Sequence, residues 1–493
     1  ERRPPLAELI VGLDRDALAA LILDLDARVP RLAEQIEQLL LRRPAAPAAP
    51  AASPAPPAPR RTPVDVAAFR RQVQSAFRGY SYGDYYAAGS IVSSMDTLVG
   101  QIRPFIEGGD PESALPLLEV LTAEFSAGWT DYDDSDGELG GFLDELGPLW
   151  AEALLSADLP AAERAAWRER LEQWDAESSD YGVDGMGLAL CAAEEGWSAP
   201  MLVQAMRGEL AQWDLSNDYN ERRLLPIRLR VLEQKGLLAE AINLAAATGQ
   251  HREQALTLLR VGRIDDAVAL ARSRLRTATD ALALATAMRT IGHVSQALDV
   301  AEIGLDLEEP RAGLGAWLID LALAAGRDEL ALRGAETAFR SAPSLPLYLR
   351  LRELTEAAWP AQREQMLTFL RAGKGLWNVA HAAVDIFLHE GLIDDAITTV
   401  QQSAGSGDLM RVIDAAIQER PEWAVQASQR QAEGIMESGK AQHYDSAIEW
   451  LRRTRAGFAA SGRPDLWQAY LLSLRAQHRR KHKLMGLFAL LER

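Results

Sequence analysis

A short phrase recurs along this chain: a glycine, four intervening residues, an alanine and then an aliphatic residue. It reads KGLLAEAI at 235–242, VGRIDDAV at 261–268, IGHVSQAL at 291–298, AGRDELAL at 325–332 and EGLIDDAI at 390–397. An upstream copy, GGDPESAL, lies at 108–115. The paired positions are Gly109 and Ala114, Gly236 and Ala241, Gly262 and Ala267, Gly292 and Ala297, Gly326 and Ala331, and Gly391 and Ala396. Glycine ends a helix at low cost because it enters the left-handed region without Cβ strain. Asp110, Asp265, Asp328 and Asp394 follow where a cap or a first-turn acid is favoured. The alanine is the small residue that lets the second helix pack closely on the first, and the aliphatic positions after it extend the buried stripe.

The expectation is an all-α fold, an irregular α-α superhelix or solenoid of helical hairpins. The glycines from 236 to 326 are 26, 30 and 34 residues apart, so the array is degenerate. The phrase resembles the turn of a tetratricopeptide repeat, whose period is about 34 residues. Most aromatic positions of that repeat's full pattern are absent.

A chain of 493 residues has room for two or three domains or one long array. No apolar run reaches the roughly 18 residues of a membrane span, so no membrane partner is expected. No secretory leader is visible, and the single cysteine, Cys191, excludes a disulfide framework. Both point to a cytoplasmic protein. The net charge of −18 is unevenly spread. Residues 131–200 hold eighteen acids and three arginines, whereas 450–493 hold ten basic residues and two acids. The middle repels nucleic acid; the tail attracts it.

Residues 1–43 read as short amphipathic helices. A linker follows over 44–63, with eight prolines and eight alanines, too proline-rich to form a core. Residues 64–222 form an acidic helical domain, and 223–493 the repeat domain with a basic C-terminal helix. Within 64–222, Tyr80, Tyr82, Tyr85 and Tyr86 either stack on bases or fill a helix corner, the commoner use. The acids from Asp131 to Glu138 invite a calcium-loop reading, with Gly137 at its sixth position. That register fails at Tyr132 and Leu143, where oxygen ligands are required. Acids satisfying a helix N-terminus explain the stretch better. Trp150, Trp167, Trp174, Trp197 and Trp213 read as core.

No catalytic constellation is visible: no Gly-rich phosphate loop, Rossmann fingerprint or GxSxG elbow. His478 and His482 are one helical turn apart, but Arg479, Arg480 and Lys481 lie between them, and a zincin needs Glu after the first His. His381 and His389 read as satisfied core or surface groups, and Cys191 as a small core residue. The one candidate for anion or nucleic-acid contact is the tail. There Arg475, Arg479 and Lys483 would line one face of a helix, with Arg480 and Lys481 beside them.

Several stretches together resemble the long region downstream of the zinc finger in bacterial SWIM-type zinc-finger proteins. They are RRPPLAELIVGLDRDALAALILDLDARVPRL, FRGYSYGDYYAAG, DDSDGELGGFLDELGPLW and the ending from YDSAIEWLRRTRAGF to HRRKHKLMGLF. The resemblance implies a helical scaffold in a zinc-binding protein whose CxC…CxH finger lies upstream of a chain that opens, without an initiator Met, at ERRPPLAELI. No zinc ligand carries over to any residue here, so no cofactor is expected within this chain. The implied partners are proteins, namely an AAA+ ATPase, a von Willebrand A-domain protein or a helicase, with nucleic acid as the alternative.

Overall fold

The computed structural model describes residues 62–78, 80, 87–373, 377–403 and 406–491. Among these are 24 α-helices and no β-strand, with one isolated bridge between Thr277 and Glu308. The helical readings of 1–43, most of the linker, and Tyr82, Tyr85 and Tyr86 lie outside the described residues. The chain divides into two compact units. One takes the described residues up to Leu275 together with Ala283–Val300; the other takes Arg276–Leu282 and the described residues from Ala301. The division falls inside the repeat run.

The first unit begins with α1 (Val66–Ala76), α2 (Ala87–Glu107), α3 (Pro111–Gly128) and α4 (Glu138–Ser156). Then come α5 (Ala161–Ser179), α6 (Gly187–Glu195) and α7 (Pro200–Met206). It continues through α8 (Tyr219–Gln234), α9 (Leu238–Ala247), α10 (His251–Arg260) and α11 (Ile264–Arg274). Helices α12 (Ala278–Thr290) and α13 (Val294–Gly304) each contribute residues to both units. Apolar residues at helical spacing on α2, α3 and α4 form one core around Phe125, Phe142 and Trp150. The fully buried Trp150 donates its indole N–H to Thr122 Oγ1 at 2.9 Å, which satisfies the only polar atom of that side chain. Trp167 and Trp174 pack on it at ring distances of 5.2 and 5.8 Å. The acidic α5 is thus held by tryptophan while most of its charges face water.

The second unit runs through α14 (Ala312–Ala324), α15 (Asp328–Ser341), α16 (Leu345–Thr355), α17 (Trp359–Ala372) and α18 (Trp377–His389). It ends with α19 (Ile393–Ser403), α20 (Ser406–Ala416), α21 (Pro421–Glu437), α22 (Tyr444–Ala460), α23 (Pro464–Gln477) and α24 (His482–Phe488). One continuous core extends from Ile319 to Leu491. Packing is largely between neighbours in sequence, most extensively α14 on α15 and α21 on α22. Within each unit this is the solenoid manner of building, in which no helix buries its apolar face alone. Helices α14 and α15 approach so closely that a Cβ on Gly315 would lie 2.5 Å from the Gly334 carbonyl oxygen.

Candidate functional site

The recurring phrase is a single joint built around the residue after the glycine. At Gly262, φ is +77°, and Arg263 donates its N–H back to the Leu258 carbonyl at 2.9 Å. That bond, with Gly262 N–H to Leu259 O at 3.1 Å, closes the end of α10 as a Schellman motif. The carbonyl of the same Arg263 then accepts the N–H of Ala267 at 3.1 Å and opens α11. One residue therefore ends one helix with its N–H and starts the next with its C=O, which fixes the alanine five residues past the glycine. The same two-way use occurs at Leu237, His293, Arg327 and Leu392. All six alanines, Ala114, Ala241, Ala267, Ala297, Ala331 and Ala396, are buried. At the upstream copy Asp110 accepts from Ser113 N–H instead, and its carboxylate also takes the Thr62 N–H at 2.8 Å. Burial pushes the Asp110 carboxyl up, but hydrogen bonds from Thr62 and Ser113 outweigh it and hold it below the usual range.

Two further joints of this kind escape the sequence phrase. Gly249 (φ +70°) closes α9 through Gln250 N–H to Ala245 O at 2.8 Å, but its alanine, Ala255, lies six residues on. Gly462 (φ +70°) closes α22 in the same way, and the buried residue five positions later is Trp467. The left-handed glycine is the common signal; the small residue after it is not.

The basic tail differs from the sequence expectation. Helix α23 ends at Gln477 and α24 begins at His482, so Arg475, Arg479 and Lys483 do not share one helix face. His478 caps α23 and is buried, which lowers its pKa from the ordinary histidine value, with the Lys481 charge adding to the effect. His482 starts the next helix, so these two histidines do not share a helix face either. Lys481 turns inward to the Met436 carbonyl, and Lys483 donates to the Ala441 carbonyl and the Asp445 carboxylate, both at 3.0 Å. Arg475 is half-buried on α23. Of the five, Arg479 and Arg480 are exposed on the connection between the two helices.

The acid-rich stretch before α4 is a helix cap. Gly137 (φ +73°) precedes Glu138, and the Asp134 carboxylate accepts the N–H groups of Leu139 and Gly140 at 2.7 and 2.9 Å. Those two donors are among the four that a helix start leaves unpaired. Tyr80 packs at the edge of the α2–α4 core. His381 is a surface group paired with Asp408 at 2.8 Å. Cys191 is half-buried, and burial together with Glu195 and Glu221 pushes its thiol up. Among the described residues no set of three or more His, Cys, Asp or Glu side chains is placed to hold a metal ion.

Three of the joints each leave one large apolar side chain exposed beside the charged ones. Leu237, Val261 and Ile291 flank Gly236, Gly262 and Gly292 and are 40, 38 and 44 % exposed. They sit at every second connection of the series α8–α13, and in an up-and-down series alternate connections fall on the same edge. Sequence reading placed these residues in the turns without seeing that their side chains stay uncovered.

Neither a protein-family model nor any curated protein matches the chain. Among solved structures, the chain is similar to a circular tandem repeat protein described as having a novel repeat topology and enhanced subunit contact surfaces. Identity is 16 %, covering 87 % of this chain and 98 % of that one, with a TM-score of 0.20. At that score the likeness carries no weight, and the all-α assignment rests on the helices themselves.

Proposed function

We propose that this chain is a non-catalytic helical-repeat scaffold that binds a protein partner. The observation that carries the reading is the row Leu237, Val261 and Ile291, three large apolar side chains uncovered at alternate joints of one unit. Scattered apolar exposure is ordinary, but large apolar side chains left uncovered at alternate joints, before the glycine at Val261 and Ile291 and after it at Leu237, offer a partner a set of anchors. No helix among the described residues is long and apolar enough to cross a membrane. The resemblance to the region downstream of a SWIM-type finger supports the same class of role beside a zinc-binding segment. By that resemblance the partner is an AAA+ ATPase, a von Willebrand A-domain protein or a helicase.

The test is capture from host lysate on the immobilised chain, with nuclease and without. A defined protein should be retained after nuclease, and it should be lost when Leu237, Val261 and Ile291 are together replaced by Glu. Recovery of nucleic acid alone, abolished by Arg479→Ala with Arg480→Ala, would replace this reading with nucleic-acid binding through the tail.

A further inference from the structure

Helices α8 to α11 and the segment 211–216 surround a cavity of about 700 Å³ in the first unit. The segment is strapped down where Trp213 donates its backbone N–H to the carbonyl of Ala247, the last residue of α9, at 2.7 Å. Leu215 is buried beside it. Two guanidinium groups line the cavity, Arg222 from the first turn of α8 and Arg274 from the last turn of α11. Neither pairs with a carboxylate among the described residues. Arg222 has only the Tyr219 ring, 5.7 Å away, in a chain where arginines are otherwise widely ion-paired. The one acidic lining residue, Asp214, is already engaged by the Ser216 N–H at 2.9 Å, which holds its carboxyl below the usual range. His251, the first residue of α10, also lines the cavity, and its Nδ1 is buried with no hydrogen-bond partner.

Two guanidinium groups without a carboxylate partner among the described residues, facing one concavity, favour an anion there, since charge-assisted bonds to an oxyanion would satisfy both. Size narrows the class. The volume lies within the range of about 300–1,000 Å³ found for small-molecule sites, and an inorganic ion would occupy a small part of it. The rest of the wall is mixed: Trp213, Leu225 and Leu270 supply an apolar part, and Gln212, Thr248 and Gln254 a polar part.

We propose that this cavity binds a small organic oxyanion, with its phosphate or carboxylate held between Arg222 and Arg274 and its apolar body set against Trp213. The inference is independent of the scaffold reading and would stand if no protein partner existed. Calorimetric titration of the full chain at low salt, with phenyl phosphate, benzoate and neutral phenol, tests it. At least one anion should bind saturably and phenol should not, and the stronger anion identifies the head group. Arg222→Gln and Arg274→Gln should each weaken binding at least tenfold. Arg223→Gln, one residue along α8 and outside the lining, should leave binding unchanged and controls for fold and net charge. Absence of saturable binding by both anions, equal binding of phenol, or binding retained when both lining arginines are replaced would overturn the proposal.

Discussion

Arg228 has no exposed surface, yet it lies among groups that satisfy most of its guanidinium. It donates to the Gly196 carbonyl at the end of α6 and to Glu221 at 2.7 Å, with Glu195 3.7 Å away and the Trp197 ring at 5.6 Å. Two carboxylates thus compete for one buried cation. Burial, a hydrogen bond with Glu221 and the Glu221 charge push Glu195 up to about 7, against the pull of Arg228; Asp218 adds a further push. A carboxyl raised in the folded state binds more protons folded than unfolded between its ordinary value and about 7. Stability therefore falls as pH rises through that window. Glu195→Gln removes the titration and leaves the Arg228–Glu221 pair in place. Its urea midpoint should vary less than the parent's between pH 4.5 and 7, and equal slopes would show that Glu195 titrates normally. Glu221 and Arg228 are two turns apart on one face of α8, but little else of this cluster is legible in the sequence, because Glu195, Gly196 and Trp197 come from the end of α6 and reach α8 only through packing. The joint glycines are legible because left-handed backbone restricts residue choice locally.

Helices were read from periodicity, and where a helix is bounded by a left-handed glycine its end is visible in the sequence. The end of α23 is not, since RAQHRRKHK offers neither Gly nor Pro and looks continuous. The buried His478 and the inward Lys481 show what ends it: the last turn and α24 both dock on the second unit's core and share the space only if the chain bends between them. Close approach between helices is similarly hidden. By helix propensity alone Gly315 and Gly334 would weaken α14 and α15, because glycine inside a helix costs about 1 kcal/mol relative to alanine. The structure reverses that meaning. A methyl group on Gly315 would meet the Gly334 carbonyl at 2.5 Å and the Ala338 N at 2.9 Å, so the backbones touch where both side chains are absent. Gly315→Ala should then destabilise by about 1–3 kcal/mol through overpacking, despite its better helix propensity. Gly434→Ala on α21 is the matched control, because nothing lies within 4 Å of its added Cβ. It should be neutral or stabilising in the same denaturation series. A stabilising Gly315→Ala would mean that the two helices separate at no cost.

At the scale of the whole chain, neighbour-to-neighbour packing decides how a disturbance spreads. Helix α19 packs chiefly on α18 and α20, and its alanine of the recurring phrase, Ala396, is fully buried. The core around Trp150 belongs to the other unit and is built from α2, α3 and α4. The sequence suggested a boundary near 223 because composition changes there, from acidic helices to the regular phrase. The split into two compact units over 275–301 is a separate feature that leaves no mark in composition, since the repeat chemistry is the same on both sides. In a molecule assembled from successive nearest-neighbour interfaces, stability is close to a sum of local terms and need not be lost all at once. Ala396→Leu inserts three heavy atoms into the α18–α19–α20 packing, an overpacking of about 1–3 kcal/mol. Amide hydrogen exchange should accelerate in peptides from α18, α19 and α20, while peptides from α3 and α4 exchange at the parent's rate. Uniform acceleration across both sets would require the chain to open as one cooperative body, and the solenoid account of its stability would then fail.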